Sequence, residues 1–512
     1  MSFKEEISRR KQNISLRVSR AFLLVALACL SASAFAQQPV AVPRETPPPP
    51  AAPRTVKFPV PQERTLSNGL RVVVVERHTT PITAARLIIK TGGEADPPQL
   101  PGLADMTASL LTRGTATRKA PEIAEAIEAL GGSIDAGAGW DASRASIDVE
   151  ASKLSTATAI LADVIRNPVF ESEEIERLRQ QYLDDLRVAL GTPNSIARFV
   201  ASRVVFGDAP YGHPLSGTLE SVARIKREDI VDFHQHYYQP GNAILVIGGD
   251  VTAAQGFALA EKYFGDWKAA PKNSDPAGQG IPLDLHPATM PAQTSRVVVV
   301  DKPDAGQAAV IVARTGISRR DQDYVRGIVA NSVLNGYSGR LNQEIRIKRG
   351  LSYGAGSSLD LRRDAGAFAA TAQTKNESGA EVADLLVGEL SRLASGDVPD
   401  AELTPRKAVL IGGFARNMET VGGLVQQVAN LALYGLSFDY INNYVSSVQS
   451  VSAADVKRFA STRLGAQGAS VVIVGDAKKF LPALKAKYPN VEVIPYAELN
   501  LNGGALRQAK TP

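Results

Sequence analysis

Two hydrophobic rhythms alternate along the chain. Short apolar runs rich in β-branched residues, LRVVVVE at 70–76, AARLIIKTG at 84–92 and the stretch 242–248, have the length and composition of strands. The first follows the turn pair Asn68 and Gly69. Residues 134–151 alternate apolar and polar positions, which predicts a strand pair. Elsewhere apolar positions recur at helical spacing over 102–112, 120–130, 154–166 and 172–190, with Pro121 at a helix start and Ser172 as an N-cap. Helices and strands therefore come in separate blocks, and the expected fold class is α+β with a mainly antiparallel sheet.

The pattern is written twice. RVVVVE at 71–76 recurs as RVVVVD at 296–301, and ARLIIKTG at 85–92 as AVIVARTG at 309–316. SVARIKREDIVDF at 221–233 recurs as SVQSVSAADVKRF at 447–459, and AILVIGGD at 243–250 as SVVIVGD ending at Asp476. All four pairs keep one offset within two residues, so the chain reads as two homologous halves, each a mainly antiparallel sheet covered by helices. The expected boundaries are 56–270 and 296–495, joined by a Pro-rich linker at 271–295 and followed by a tail at 496–512.

Composition alters this picture mainly at the N-terminus. Residues 1–36 run from a basic region through the apolar AFLLVALACL to small residues ending at Ala36, which predicts an export signal cleaved after Ala36 and a periplasmic protein. Two other signals fit less well: acylation at Cys29, and a twin-arginine signal at Arg9 and Arg10. A Pro-rich tether follows at 37–55. Without the signal the chain carries 51 basic and 50 acidic residues, so nothing argues for nucleic acid or an anionic membrane surface. No later segment is long and apolar enough to span a bilayer.

The densest chemistry lies in NGYSGRLNQEIRIKRGLSYGAGSSL at 335–359. Arg346 should sit on the last turns of a helix ended by Gly350, and Tyr353 on the strand that follows. A fixed cation and a phenol at one corner can hold a peptide carbonyl or a developing oxyanion, since both donate hydrogen bonds without changing charge. The alternative is that Arg346, Lys348 and Arg349 answer the helix's negative end while Tyr353 is a half-buried strand residue.

Taken together, the duplicated halves and the motifs LSNGLRVVVVE, PGLADMTASLLTRGT, YGHPLSG, YYQPGNAILVIGGD and EIRIKRGLSYG resemble the M16 peptidase family, which includes insulinase, pitrilysin and the mitochondrial processing peptidase subunits. The resemblance runs from about residue 56 to 495 and implies an M16/LuxS-metallohydrolase-like duplication. In that family an HxxEH motif supplies two zinc ligands and a general base, and a Glu on a later helix supplies the third ligand. Ligands at i and i+4 share one helical face, so both imidazoles can reach one metal. Here the two His positions hold Asp105 and Ser109, the base position holds Ala108, and Asp184 or Asp185 falls near the distal ligand. Carboxylates alone would bind only a hard cation weakly.

The five histidines offer no substitute. His234 and His236 point to opposite sides of a helix and are expected to face solvent, His213 is expected to be structural, and His78 and His286 stand alone. The mature chain has no cysteine nucleophile, and no nucleophile elbow or phosphate-binding loop is present. By contrast the family's Arg and Tyr pair, which binds substrate backbone at the zinc site of an opposing half, is matched by Arg346 and Tyr353. The resemblance thus implies a zinc-free subunit of a heterodimeric peptidase. It would need no cofactor of its own, act on peptides, and pair with a homologous subunit that has an intact HxxEH and carries the zinc. Gly336, Gly339 and Gly350 would let the backbone approach an extended peptide, as an added strand. Two other readings remain: a structural or assembly protein, and a homodimeric hydrolase with a metal site at Asp105 and Asp184 or Asp185.

Overall fold

The computed structural model describes residues 57–268 and 294–507. The expected export signal and tether and nearly all of the expected 271–295 linker lie outside the described residues.

Each half builds a six-stranded sheet. The first has β1 (Gln62–Thr65), β2 (Arg71–Glu76), β3 (Ile82–Ile89), β4 (Ser133–Ala138), β5 (Ser143–Glu150) and β6 (Ala243–Gly249) in the order β1-β2-β6-β3-β5-β4. The second has β7 (Val297–Asp301), β8 (Ala308–Thr315), β9 (Ala355–Leu359), β10 (Ala367–Thr374), β11 (Ser470–Gly475) and β12 (Val491–Pro495) in the order β12-β7-β11-β8-β10-β9. Most neighbours are antiparallel; β2 with β6, β7 with β11 and β7 with β12 are parallel. The α+β duplication read from the sequence is the observed architecture. Among the expected helices, 154–166 matches Leu154–Arg166, while Ser172 is the first residue of Ser172–Gly191 and Glu171 is its N-cap. Glu171's side chain makes no capping hydrogen bond.

The valine runs are continuous because both faces of their strands are covered. Val72 and Val74 of β2 face the first half's own helices, together with Leu161 and Ile165 of Leu154–Arg166. Val73 and Val75 face the other way, into Leu424, Val425 and Val428 of a helix belonging to the second half, Val421–Leu433. The exchange is mutual. Helix Pro193–Phe206 of the first half lays Ile196, Val200 and Val204 against Val298 and Val300 of β7 and Ile311 of β8. Each half thus supplies the helix that covers the other's outer sheet face, with each fully buried Leu, Ile or Val worth about 1.5–3 kcal/mol.

Polar contacts reinforce this seam. Asp141, 4% exposed, accepts hydrogen bonds from the hydroxyls of Tyr211 and Tyr434 and from the Arg363 amide at 2.7 Å. Arg363 also reaches Glu94 at 3.1 Å. The segment after Pro495, expected as a tail, packs back against the first half. Its Leu501 carbonyl accepts from Arg203 Nε at 2.9 Å, and Leu501 and Leu506 join the core around the Pro193–Phe206 helix.

Candidate functional site

Helix Leu103–Leu110 begins where Gly102, at φ 95°, turns the chain. It buries Leu103, Ala104, Met106 and Leu110 in the first core, which fixes the face carrying Asp105, Ala108 and Ser109. That face is closed. Tyr182, from helix Ser172–Gly191, places its hydroxyl 3.0 Å from Ser109 Oγ, beside the Asp105 carboxyl. The Ser216 side chain and the Ala138 amide also lie near the Asp105 carboxyl, while Ala108 is fully buried. Burial pushes the Asp105 carboxyl above its ordinary range against the pull of these donors, and burial followed by the Asp105 charge pushes the Tyr182 phenol up.

These residues do not fit a zinc ion. Asp105 and Ser109 lack imidazoles, and the Tyr182 hydroxyl already sits against Ser109. Asp184 is exposed and paired with Arg187 at 2.6 Å, and Asp185 is exposed. Among the described residues no three His, Cys, Asp or Glu side chains come close enough to hold a metal ion. The expected alternative of a metal bound by Asp105 and Asp184 or Asp185 draws no support from this arrangement, in which both distal carboxylates are exposed and Asp184 is paired with Arg187. Tyr182 was not anticipated from the sequence. Its spacing from Asp105 carries no motif, although it lies one turn before Asp185, on the helix where a distal ligand was sought.

The histidines divide differently than expected. His213 is buried, with Nδ1 2.9 Å from the Pro214 carbonyl and Nε2 3.0 Å from that of Gly93, as a structural residue would be. His234 does not face solvent: its Nε2 meets the Ile165 carbonyl at 2.8 Å, its ring stacks on Tyr238, and burial pulls its pKa down to about 4.

The second-half segment is organised around an irregular helix. After the turn at Gly336 (φ 88°), residues Arg340–Asn342 start an α-turn that widens into a π-helix over Gln343–Lys348 and ends at Gly350 (φ 64°). A Cβ at Gly339 would stand 2.3 Å from the Asn335 carbonyl oxygen, so only glycine fits. Leu341 and Ile345 anchor the helix in the second core, and Arg340 pairs bidentately with Glu402 at 2.7 and 2.8 Å. Glu344 is buried and ties down Lys348 and Arg349 at 3.0 and 3.1 Å. Arg346 is left outside these pairs, its guanidinium 5.3 Å from the centroid of the Tyr337 ring. π-turns of this kind are frequent at functional sites.

Tyr353 is not on the following strand. It sits in a bend two residues before β9 and is 91% exposed, while the neighbouring Leu351 is held inward, its carbonyl accepting a hydrogen bond from the Thr374 hydroxyl at 2.7 Å. The reading of Tyr353 as a half-buried strand residue is thereby corrected as well. β9 is an edge strand, yet its Ala355 and Ser357 amides are already covered by the Asn342 and Asn335 side chains, each at 3.4 Å. This argues against an added strand at that point.

Residues 71–218 match the family model described as Insulinase (Peptidase family M16), and residues 224–410 the one described as Peptidase M16 inactive domain. The chain is 26% identical to an uncharacterized zinc protease of Mycobacterium leprae, over 82% of this chain and 93% of that protein. An uncharacterized zinc protease of Streptomyces coelicolor is 24% identical over 81% of this chain and 89% of its own length. Among solved structures, a peptidase M16 inactive domain from Pseudomonas fluorescens superposes with a TM-score of 0.75 at 25% identity, covering 81% of this chain and 98% of that one. A protease from Helicobacter pylori shares the fold, with a TM-score of 0.73 over 82% of this chain and all of its own.

Proposed function

The chain belongs to the M16 peptidase family, and from that premise we propose that it is an exported, zinc-free subunit acting in the periplasm with a homologous, zinc-bearing partner. One observation carries this reading. The first-half motif is closed by Tyr182, while in the second half Tyr353 stands 91% exposed and Arg346 lies outside the ion pairs that fix its neighbours. A chain that has closed its own metal position has no internal use for that exposed pair.

In the proposed complex the peptide bond is cleaved at the partner's site. Tyr353 donates its hydroxyl proton in a hydrogen bond to the scissile carbonyl oxygen as that oxygen becomes tetrahedral and gains charge. Arg346, steadied against the Tyr337 ring, donates to a neighbouring carbonyl of the substrate backbone and fixes its register. Neither residue changes protonation state during the reaction.

The test is reconstitution with an exported homologue that has an intact HxxEH. This chain alone should hydrolyse no peptide, the mixture should, and Tyr353→Phe should lower kcat of the mixture by about 10²–10³-fold, as loss of one oxyanion donor does. Full activity in a double Tyr353→Phe, Arg346→Ala variant would remove the co-catalytic role and favour the second reading, a structural subunit. That reading draws its support from the closed Asp105, Tyr182 and Ser109 cluster.

A further inference from the structure

Where the two halves meet, a cleft of about 360 Å³ opens at the end of the exchanged Val421–Leu433 helix. Four basic residues line it, two from each half: Arg71 on β2, Lys90 just past β3, Arg320 beyond β8, and Arg363 between β9 and β10. None of the described residues lining it is acidic.

The surroundings determine how much of this charge is already answered. Arg71 turns Nε and Nη2 toward Glu63 at 3.2 and 2.6 Å, and its Nη1 donates to the Ala432 carbonyl at 3.1 Å. That last bond satisfies part of the helix's negative end, which would otherwise repel an anion. Arg363 is held by Glu94 and by the carbonyls of Lys90 and Asp141, both at 2.9 Å. Burial pushes the Glu94 carboxyl up while the Arg363 guanidinium pulls it down, so Glu94 and the nearby Asp141 answer part of the Arg363 charge. Arg320 is exposed and makes no ion pair with any described residue. The floor is shaped by a close approach of two backbones: a Cβ on Gly69, at φ 94°, would stand 3.3 Å from the Gly241 Cα.

We propose that this seam cleft binds a small oxyanion with two or more negative charges, a phosphate ester or a di- or tricarboxylate. Guanidinium forks match both kinds of oxyanion. The volume is in the range of small-molecule sites and exceeds what a bare phosphate needs. Since cations from both halves face the same space, the bound anion bridges them and stabilises the folded chain by linkage. This proposal is independent of the role given to Arg346 and Tyr353.

The experiment is isothermal titration calorimetry of the mature chain with inorganic phosphate and, separately, with citrate, at fixed ionic strength, paired with thermal unfolding. Saturable one-to-one binding of at least one anion is expected, with a rise in the unfolding midpoint, and the tighter of the two identifies the ligand class. Lys90→Gln with Arg320→Gln should weaken that binding about tenfold or more. Arg320→Glu, a change at an exposed position, should do the same if the double variant folds poorly. Anions of this kind also stabilise proteins by exclusion from their surface. The proposal is overturned if neither anion gives saturable heat, or if binding and midpoint shift persist in the Arg320→Glu protein.

Discussion

Tyr182 holds its phenol between Asp105 and Ser109, so reinstating the family's ligands would meet an occupied position. Asp105→His, Ala108→Glu and Ser109→His together should yield a protein without stoichiometric zinc by elemental analysis, as long as Tyr182 remains and the distal carboxylates stay on the surface. Tyr182→Phe alone should cost about 1–3 kcal/mol, since it leaves a buried carboxyl and a hydroxyl short of a partner. Glu94 gives a second residue-scale expectation. Its folded pKa, about 8, lies above the ordinary carboxyl value of 4.5. The folded state therefore keeps a proton that the unfolded chain releases. Stability is greatest below about pH 4.5 as far as this group is concerned, and it falls as pH rises toward 8, by up to about 1.4 kcal/mol per pH unit. Denaturant titrations at several pH values should show this slope, and Glu94→Gln should flatten it.

At the scale of elements, the Gly248 position shows how closely the exchanged helix lies on the first sheet. A Cβ there would come 2.5 Å from a Val75 methyl and 2.6 Å from a Val425 methyl. Gly248→Ala should destabilise by about 1–3 kcal/mol through overpacking. Leu424→Ala, on the facing helix, should cost about 2–5 kcal/mol by leaving a cavity. Both are read from urea unfolding midpoints. The strands and the duplication were legible because valine runs and a constant offset are local signals. The exchange was not, since an apolar helix such as Val421–Leu433 records that it is buried but not against which sheet. The π-turn at Gln343–Lys348 was equally hidden. It arises from how Ile345, Glu344 and Gly350 are satisfied together, and it shifted Tyr353 off the strand that spacing alone predicted.

For the whole molecule, the reciprocal helices and the Asp141, Tyr211, Tyr434 and Arg363 contacts make the two halves a single packed body. Unfolding should be one cooperative transition by calorimetry and circular dichroism, with no separate melting of either half. A protease site engineered between residues 268 and 294 should, after cleavage, leave two fragments that co-elute on gel filtration. A hinge between the two halves would first have to pull a helix off each sheet, so in the proposed complex any opening around a peptide is expected between this chain and its partner.

The exchanged helices also set an order in time. As the chain emerges N-terminus first into the compartment where it folds, the first sheet is complete by residue 249, yet one of its faces waits for a helix that begins at Val421. Until some 170 residues more have emerged, that waiting face is bare valine and isoleucine, a surface on which partly folded chains can aggregate. A gene fragment encoding the first half alone should therefore give insoluble product, and adding the second half in trans should rescue it.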